Sequence, residues 1–156
     1  MLLDQEFTVR KSKTFQTEQL DEQIGFKLRL AQLAVFGDII ETLKRFELRP
    51  VDLSALLLIE AHPGLRQHVI GDRLKIARPN VVALVDSLAK RELVERIVDA
   101  SDRRANQLQL TPAGVAMLAD AKAAQQVHAD RIAAALEGVD VANFVNGLDK
   151  LAKLGR

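Results

Sequence analysis

Residues 78–114, RPNVVALVDSLAKRELVERIVDASDRRANQLQLTPAG, are the stretch that decides the fold. The first part predicts a helix over residues 78–91, with Pro79 in the first turn, where a missing backbone N–H is tolerated. The apolar residues of this helix recur every three or four positions and define its buried side: Val81, Leu84, Val85 and Leu88. The opposite side is polar and is left free for other contacts.

A β-hairpin is predicted directly after that helix. Residues 93–98 are rich in β-branched side chains, and residues 106–110 alternate polar and apolar side chains. The polar tip between them carries three adjacent charges: Asp102, Arg103 and Arg104. Thr111 and Pro112 then supply an N-cap and a first helical residue for the next helix.

Two further helices are predicted on the N-terminal side of this stretch. One follows Pro50 and ends at His62-Pro63-Gly64, and a short one covers residues 66–74. Residues 75–77 connect the short helix tightly to the helix at 78–91. Two short helices with a tight connection, followed by a hairpin, make a winged helix-turn-helix.

Long helices flank this unit on both sides. Residues 22–47 carry apolar side chains on two sides of one predicted helix, so that one side packs on its own core and the other on a second subunit. An alanine-rich helix from Pro112 to a cap at Gly138 and a last helix over about 141–153 complete the chain.

The predicted fold is mainly α with a small β-hairpin wing: a winged helix-turn-helix domain with N- and C-terminal dimerisation helices. We expect an N-terminal arm over residues 1–20 and dimerisation helices over 21–47 and 112–156. The DNA-binding lobe covers residues 48–111.

The polar side of the predicted helix at 78–91 holds the candidate base-reading residues. A helix-turn-helix places its second helix in the major groove, with base contacts from its N-terminal part. Arginine pairs with guanine and asparagine with adenine, small side chains let the backbone approach, and valine contacts a thymine methyl group. The candidates are Arg78, Pro79, Asn80, Val82, Ala83 and Ser87, with Arg91 also turned outward. The alternative is an ordinary solvated face.

The tip of the hairpin is a second candidate DNA contact. Arg103 and Arg104 on an extended turn can reach a neighbouring minor groove, where narrow A·T-rich stretches attract guanidinium groups. Asp102 can hold one of them by a charge-assisted hydrogen bond. The alternative is a solvated charged turn.

Composition excludes several classes of protein. The net charge of +1, from 22 basic and 21 acidic residues, argues neither for nor against nucleic acid. The absence of cysteine excludes disulfides, thiolate metal sites and cysteine redox sensing. No secretory signal and no run of about 20 apolar residues is present, so we expect a soluble, cytoplasmic protein with no membrane partner.

No residues for enzymatic catalysis stand out, and we expect no enzyme, no cofactor and no metal. The three histidines, His62, His68 and His128, are far apart in the sequence. We interpret them as ordinary surface or pocket histidines, with a zinc site shared between helices as the alternative. The chain has no glycine-rich phosphate loop and no serine in a nucleophile elbow.

The segment VVALVDSLAKRELVERIVDASDRRANQLQLTPAG, residues 81–114, strongly resembles the DNA-binding core of MarR-type regulators. The matching features are the LVDSL helix, the LVER strand, the DRR wing and the LTPAG helix start, and the likeness covers about residues 48–118. The resemblance implies a homodimer that binds a pseudo-palindromic operator in double-stranded DNA. It also implies repression and release by a small, often aromatic or acyl, ligand.

The resemblance carries over to individual positions. Arg78, Pro79, Asn80 and Val82 fall where the family's recognition helix meets bases, and Arg103 and Asp102 fall at the wing arginine and aspartate. Such sequences usually have glycine where Glu92 stands, and often where Lys75 stands. These departures leave the local turn geometry open but do not affect the base-reading positions, and Lys75 can gain a phosphate contact.

A small-molecule effector is the predicted signal, because no thiol switch is available. In this family the pocket lies between the dimer helices and the DNA-binding lobe. The predicted apolar lining residues are Leu33, Phe36, Ile40, Leu56 and Ile59. The predicted partners for an acid group of the ligand are Arg29, His62 and His68. The alternative is apolar core and surface charge.

Two other functions are compatible with the sequence. The first is a DNA-binding regulator with no physiological ligand, controlled by its abundance. The second is a winged-helix protein-interaction module that does not bind specific DNA, since fold does not dictate function.

Overall fold

The computed structural model describes residues 18–98 and 106–154 of the chain. It consists of helices and a small antiparallel sheet. Its contacts divide it into two compact units, with the boundary between Ala34 and Val35.

The first unit holds helix α1 (Glu18–Asp21) and the N-terminal part of helix α2 (Ile24–Leu43). The short helix α1 includes residues 18–20 of the predicted N-terminal arm, and residues 1–17 lie outside the described part of the chain. A turn closed by a hydrogen bond from Gln23 N to Leu20 O separates α1 from α2.

Helix α2 is shorter than the predicted helix at 22–47. After Leu43 the chain makes a 3₁₀ turn, Lys44–Phe46, and Glu47 then adopts a left-handed conformation with φ of 53°. A left-handed residue cannot continue an α-helix, so the chain turns into helix α3 instead. Apolar periodicity continued through Phe46 and gave no sign of this stop.

Helix α3 (Pro50–Ala61) begins at the proline, as predicted, with Arg49 as its N-cap. Asp52 Oδ2 accepts a hydrogen bond from Arg49 N at 2.7 Å and from Arg49 Nε at 3.0 Å. Asp52 is only 4% exposed, so these bonds satisfy a carboxylate that burial would otherwise destabilise.

Helix α4 (Gln67–Leu74) and helix α5 (Arg78–Lys90) form the predicted helix-turn-helix. Lys75 between them has φ of 57°, in the left-handed region where a glycine is usual. A β-carbon on Gly71 would lie 2.9 Å from Val81 Cγ2, so the two helices approach closely at that glycine.

The sheet has three strands in the order β1–β3–β2. Strands β2 (Val94–Val98) and β3 (Asn106–Leu110) form the predicted hairpin, with Val94 opposite Leu110 and Val98 opposite Asn106. Strand β1 (Leu65–Arg66) pairs with β3 and was not predicted, because two residues show no periodicity.

Helix α6 (Pro112–Ala135) starts at the predicted cap, where Gly114 N donates to Thr111 Oγ1 at 3.0 Å. It ends three residues before Gly138, which has φ of 78°, so the predicted end at Gly138 was too late. The interior is one apolar cluster that includes Leu43, Leu56, Ile70, Val85, Leu88, Leu108 and Leu118.

Helix α7 (Val141–Leu151) contains no buried residue. Five large apolar side chains at helical spacing are exposed along it: Val141, Phe144, Val145, Leu148 and Leu151. Across residues 18–98 and 106–154, no helix combines the length and the apolar character needed to cross a membrane.

Candidate nucleic-acid interface

Helix α5 separates its buried and exposed sides as the sequence predicts. Its four buried residues are Val81, Leu84, Val85 and Leu88. The candidate contact residues are all exposed on this helix and the turn before it: Lys75, Arg78, Pro79, Asn80, Val82, Ala83 and Ser87. The arrangement gives a rigid helix whose N-terminal half presents donors, acceptors and small side chains to the solvent.

Arg91 does not belong to this surface, and its predicted outward orientation was wrong. Arg91 Nη1 donates to the carbonyl oxygen of Glu47 at 2.8 Å, and Nη2 donates to that of Phe46 at 2.9 Å. The guanidinium is therefore occupied by the backbone between α2 and α3. Periodicity placed Arg91 on the outer face but carried no information about a partner about 45 residues away.

The wing is attached to helix α5 by an ion pair that sequence spacing does not reveal. Arg96 on β2 donates to Asp86 Oδ1 on α5 at 2.5 Å, and both side chains remain partly exposed. The candidate tip residues Asp102, Arg103 and Arg104 lie outside the described residues. The strands on either side of them pair antiparallel, as the predicted hairpin requires, with Val98 opposite Asn106.

The predicted effector residues occupy different environments. Leu56 and Ile59 lie in the core, at 0% and 1% exposure. Phe36 and Ile40 are about half exposed, and His62 is on the surface. Arg29 and Leu33 lie in the first unit and are exposed.

His68 lies beside the start of the recognition helix. It lines an open cleft of about 360 Å³ together with Arg66, Asp72, Arg78 and Asn106. The cleft thus lies between the first turns of α4 and α5 and the end of β3 that is next to the wing tip.

His128 is buried. The sequence left both a surface and a pocket position open for this histidine, and the surface position was wrong. It is 8% exposed, and its Nδ1 lies 2.5 Å from Asp38 Oδ2. Arg131 donates from Nη2 to the same oxygen at 2.8 Å and to Thr42 Oγ1 at 2.7 Å. The Arg131 hydrogen bond, and then that of His128, hold the pKa of Asp38 below its ordinary value. This polar cluster joins α2 to α6.

The described residues contain no group of three or more histidine, aspartate or glutamate side chains placed to hold a metal ion. The Asp38–His128 pair is accompanied by the Arg131 cation, which opposes metal binding because it occupies the carboxylate and repels a second positive charge.

Comparison with known proteins identifies the family. A family model described as MarR family matches residues 46–105. A transcriptional repressor, CouR, solved on a 23-mer DNA duplex, is 39% identical and superposes with a TM-score of 0.76 over 90% of this chain and 97% of that one. The chain belongs to the MarR family.

Two further transcriptional regulators are similar to this chain. CouR bound to p-coumaroyl-CoA is 34% identical, with a TM-score of 0.79 over 90% of this chain and 99% of that one. A regulatory protein for the hcr operon of Thauera aromatica is 33% identical over 98 residues, which is 62% of this chain and 59% of that protein. The chain thus matches less than two thirds of this curated relative. Relatives of the chain are transcriptional regulators and repressors, and the family is one of non-enzymatic DNA-binding proteins.

Proposed function

We propose that the protein is a ligand-responsive transcriptional repressor that binds a pseudo-palindromic operator in double-stranded DNA as a homodimer. One observation carries the proposal. Helix α5 buries its entire apolar side in the lobe and leaves Arg78, Asn80 and Ser87 exposed on the opposite side. That surface has the residue types that read guanine and adenine in the major groove.

We assign a proposed role to each segment of the chain. Residues 48–111 form the DNA-binding lobe, residues 21–47 and 112–156 the dimerisation helices, and residues 1–20 an arm. Lys75 contacts phosphate, and Asp102, Arg103 and Arg104 act in the wing at the minor groove. The relative solved on DNA, at 39% identity, supports this reading.

The homodimer is supported by apolar surface that one subunit leaves uncovered. Helix α7 exposes a row of five large apolar residues, and Phe36 and Ile40 of α2 are each 51% exposed. Exposed apolar surface of this extent is typical of an interaction site. Two recognition helices in a dimer must lie about 34 Å apart to meet successive major grooves.

The proposed effector is an aromatic acid or its acyl thioester, held near Leu33, Phe36, Ile40, Leu56 and Ile59, with acid-binding partners among Arg29, His62 and His68. Structures of a 34%-identical relative with p-coumaroyl-CoA support the thioester class. A ligand that binds only a dimer with mismatched helix spacing shifts the population off DNA.

The test is fluorescence anisotropy on DNA from the gene's own upstream region, against a scrambled duplex, at two salt concentrations. Asn80→Ala should weaken specific binding by about 1–3 kcal/mol, because one base contact is lost. Asn146→Ala, which removes an exposed amide on α7, is the matched control and should bind as the wild type does. A wild-type protein that binds both duplexes equally at every salt concentration would support the interaction-module alternative instead.

The effector class is tested on the same complex with p-coumaroyl-CoA, p-coumarate and free coenzyme A. We expect the thioester to release the protein from DNA and free coenzyme A not to do so. Release by none of the three, together with no thermal shift, favours control by abundance. For repression, deletion of the gene should raise expression of a reporter behind the operator, and a fall in expression would contradict it.

A further inference from the structure

The recognition helix ends in a turn with a fixed geometry. We name residues 91–93 the post-recognition turn. Arg91 N, Glu92 N and Leu93 N all bond back to carbonyls of the last turn of α5, at 3.2, 2.9 and 3.0 Å. Glu92 is left-handed, with φ of 57°. The start of the Arg91 side chain is therefore rigidly attached to α5.

The guanidinium of Arg91 contacts the C-terminal end of α2 and of the 3₁₀ turn that follows it. It donates two hydrogen bonds, of 2.8 and 2.9 Å, to the carbonyls of Glu47 and Phe46. Phe46 ends the 3₁₀ turn after α2 and Glu47 follows it, at a helix end where carbonyls lack partners within the helix. A cation is favourable at a helix C-terminus, and the planar fork of arginine can donate two bonds at once.

The same turn is attached to α6. Thr111 N donates to Leu93 O at 3.2 Å, and Thr111 Oγ1 donates to Glu92 O. A β-carbon on Gly114 would lie 1.9 Å from Leu93 O, so only glycine permits α6 to start this close to the turn. The post-recognition turn thus links the recognition helix to the start of α6 through Thr111 and the close approach of Gly114, and to the end of α2 through the Arg91 side chain.

We propose that Arg91 is a positioning residue for DNA recognition, which fixes the direction of α5 against the end of α2. The inference rests on the proposed DNA-binding function. The 13 residues of α5 span about 20 Å, so a tilt of about 10° at Arg91 would move the Arg78 end by about 3 Å. Hydrogen bonds to base edges tolerate only a few tenths of an ångström. A small displacement of the end of α2 would therefore tilt α5 and move its Arg78 end relative to the bases.

A direct contact of Arg91 with a DNA phosphate is the competing explanation, and the geometry disfavours it. Two of the three guanidinium nitrogens already donate to backbone carbonyls. The neighbouring Lys90 is exposed and provides a matched cation at the same end of the helix.

The experiment compares Arg91→Gln, Arg91→Lys and the control Lys90→Gln. Each is titrated with the upstream duplex and with a scrambled duplex over a series of salt concentrations. All measurements are made well below the melting temperature of the weakest variant. Circular dichroism verifies the folded fraction, and Arg91→Lys carries the test if Arg91→Gln does not fold.

Positioning predicts a selective loss. Arg91→Gln should lower affinity for the specific duplex about tenfold, the size expected for losing hydrogen bonds from a charged donor, and leave affinity for the scrambled duplex nearly unchanged. Arg91→Lys, which can reach one carbonyl, should lose about threefold. The slope of log affinity against log salt should stay as in the wild type. Lys90→Gln should leave the ratio of specific to scrambled affinity unchanged.

Two results would overturn the inference. Equal loss on both duplexes, with a salt slope smaller by about one, would show that Arg91 contacts phosphate. Unchanged binding with only a lower melting temperature would show a role in stability alone. A wild-type protein that does not distinguish the duplexes would instead overturn the proposed function, which is a separate result.

Discussion

Helices α5 and α7 are both amphipathic, but only α5 has its apolar side buried within its own subunit. The apolar side of α5 is fully buried, with Val85 at 0% and Leu88 at 1% exposure. The apolar side of α7 is exposed, with Phe144 at 42% and Leu148 at 38%. The comparison teaches that α5 packs on a core within its own subunit, whereas α7 has an apolar surface that a second copy would cover in the proposed dimer.

The largest effects are expected from removing one apolar side chain from each of these two helices. Leu88→Ala should lower the free energy of unfolding by about 2–5 kcal/mol, because it leaves a cavity in the core. Phe144→Ala should instead raise the dimer dissociation constant by about tenfold or more, since a buried aromatic anchor is removed from the proposed interface. Urea unfolding measures the first effect and sedimentation velocity the second.

Asn146→Ala is the control for α7, because it changes an exposed polar residue on the same helix. If Phe144→Ala leaves the dissociation constant unchanged, α7 is not part of the dimer interface. If Leu88→Ala costs less than 1 kcal/mol, the lobe does not depend on its core in the way that burial implies.

A smaller effect is expected at the polar cluster that joins α2 to α6. Bonds from Arg131 and His128 lower the pKa of Asp38 below 3.8, so the ionised form is stabilised in the folded protein. That stability is fully present above the ordinary pKa and is lost as the pH falls through the lowered value. Asp38→Asn should therefore reduce the urea midpoint at pH 7, and the difference from wild type should shrink below about pH 4.

Asp130→Asn is the matched control, because that α6 carboxylate accepts a hydrogen bond from the neutral amide of Gln126. A difference between wild type and Asp38→Asn that is the same at pH 7 and at pH 3.5 would contradict the role of the charge.

The smallest effect concerns the left-handed residue after α5. Glu92→Gly should raise the free energy of unfolding by about 0.5 kcal/mol, because relief of a strain of about 1–2 kcal/mol outweighs the added flexibility of the unfolded chain. Chemical denaturation at neutral pH measures the change. Gly138→Ala is the reverse control: it has φ of 78° and open space around it, and it should destabilise the protein. A destabilised Glu92→Gly variant would mean that the Glu92 side chain makes a favourable contact.

Much of the DNA-binding lobe could be predicted because local periodicity reports which side of an element is buried. The buried set of α5, the antiparallel hairpin after it and the cap at Thr111 were all predicted and confirmed. The candidate contact residues of α5 were placed on its exposed face, as expected. Their contacts with DNA remain predictions.

The remaining features were decided only when distant segments met. Arg91 binds carbonyls 44 and 45 residues away, and His128 meets Asp38 across 90 residues. The end of α2 at Glu47 and the strand Leu65–Arg66 also depend on neighbours that periodicity does not identify. The sequence by itself determined the longer elements and the buried side of α5, because helix and strand geometry repeats over a few residues. The tertiary structure alone decided which polar groups pair, because a hydrogen bond depends on the position of its partner in space and not along the chain.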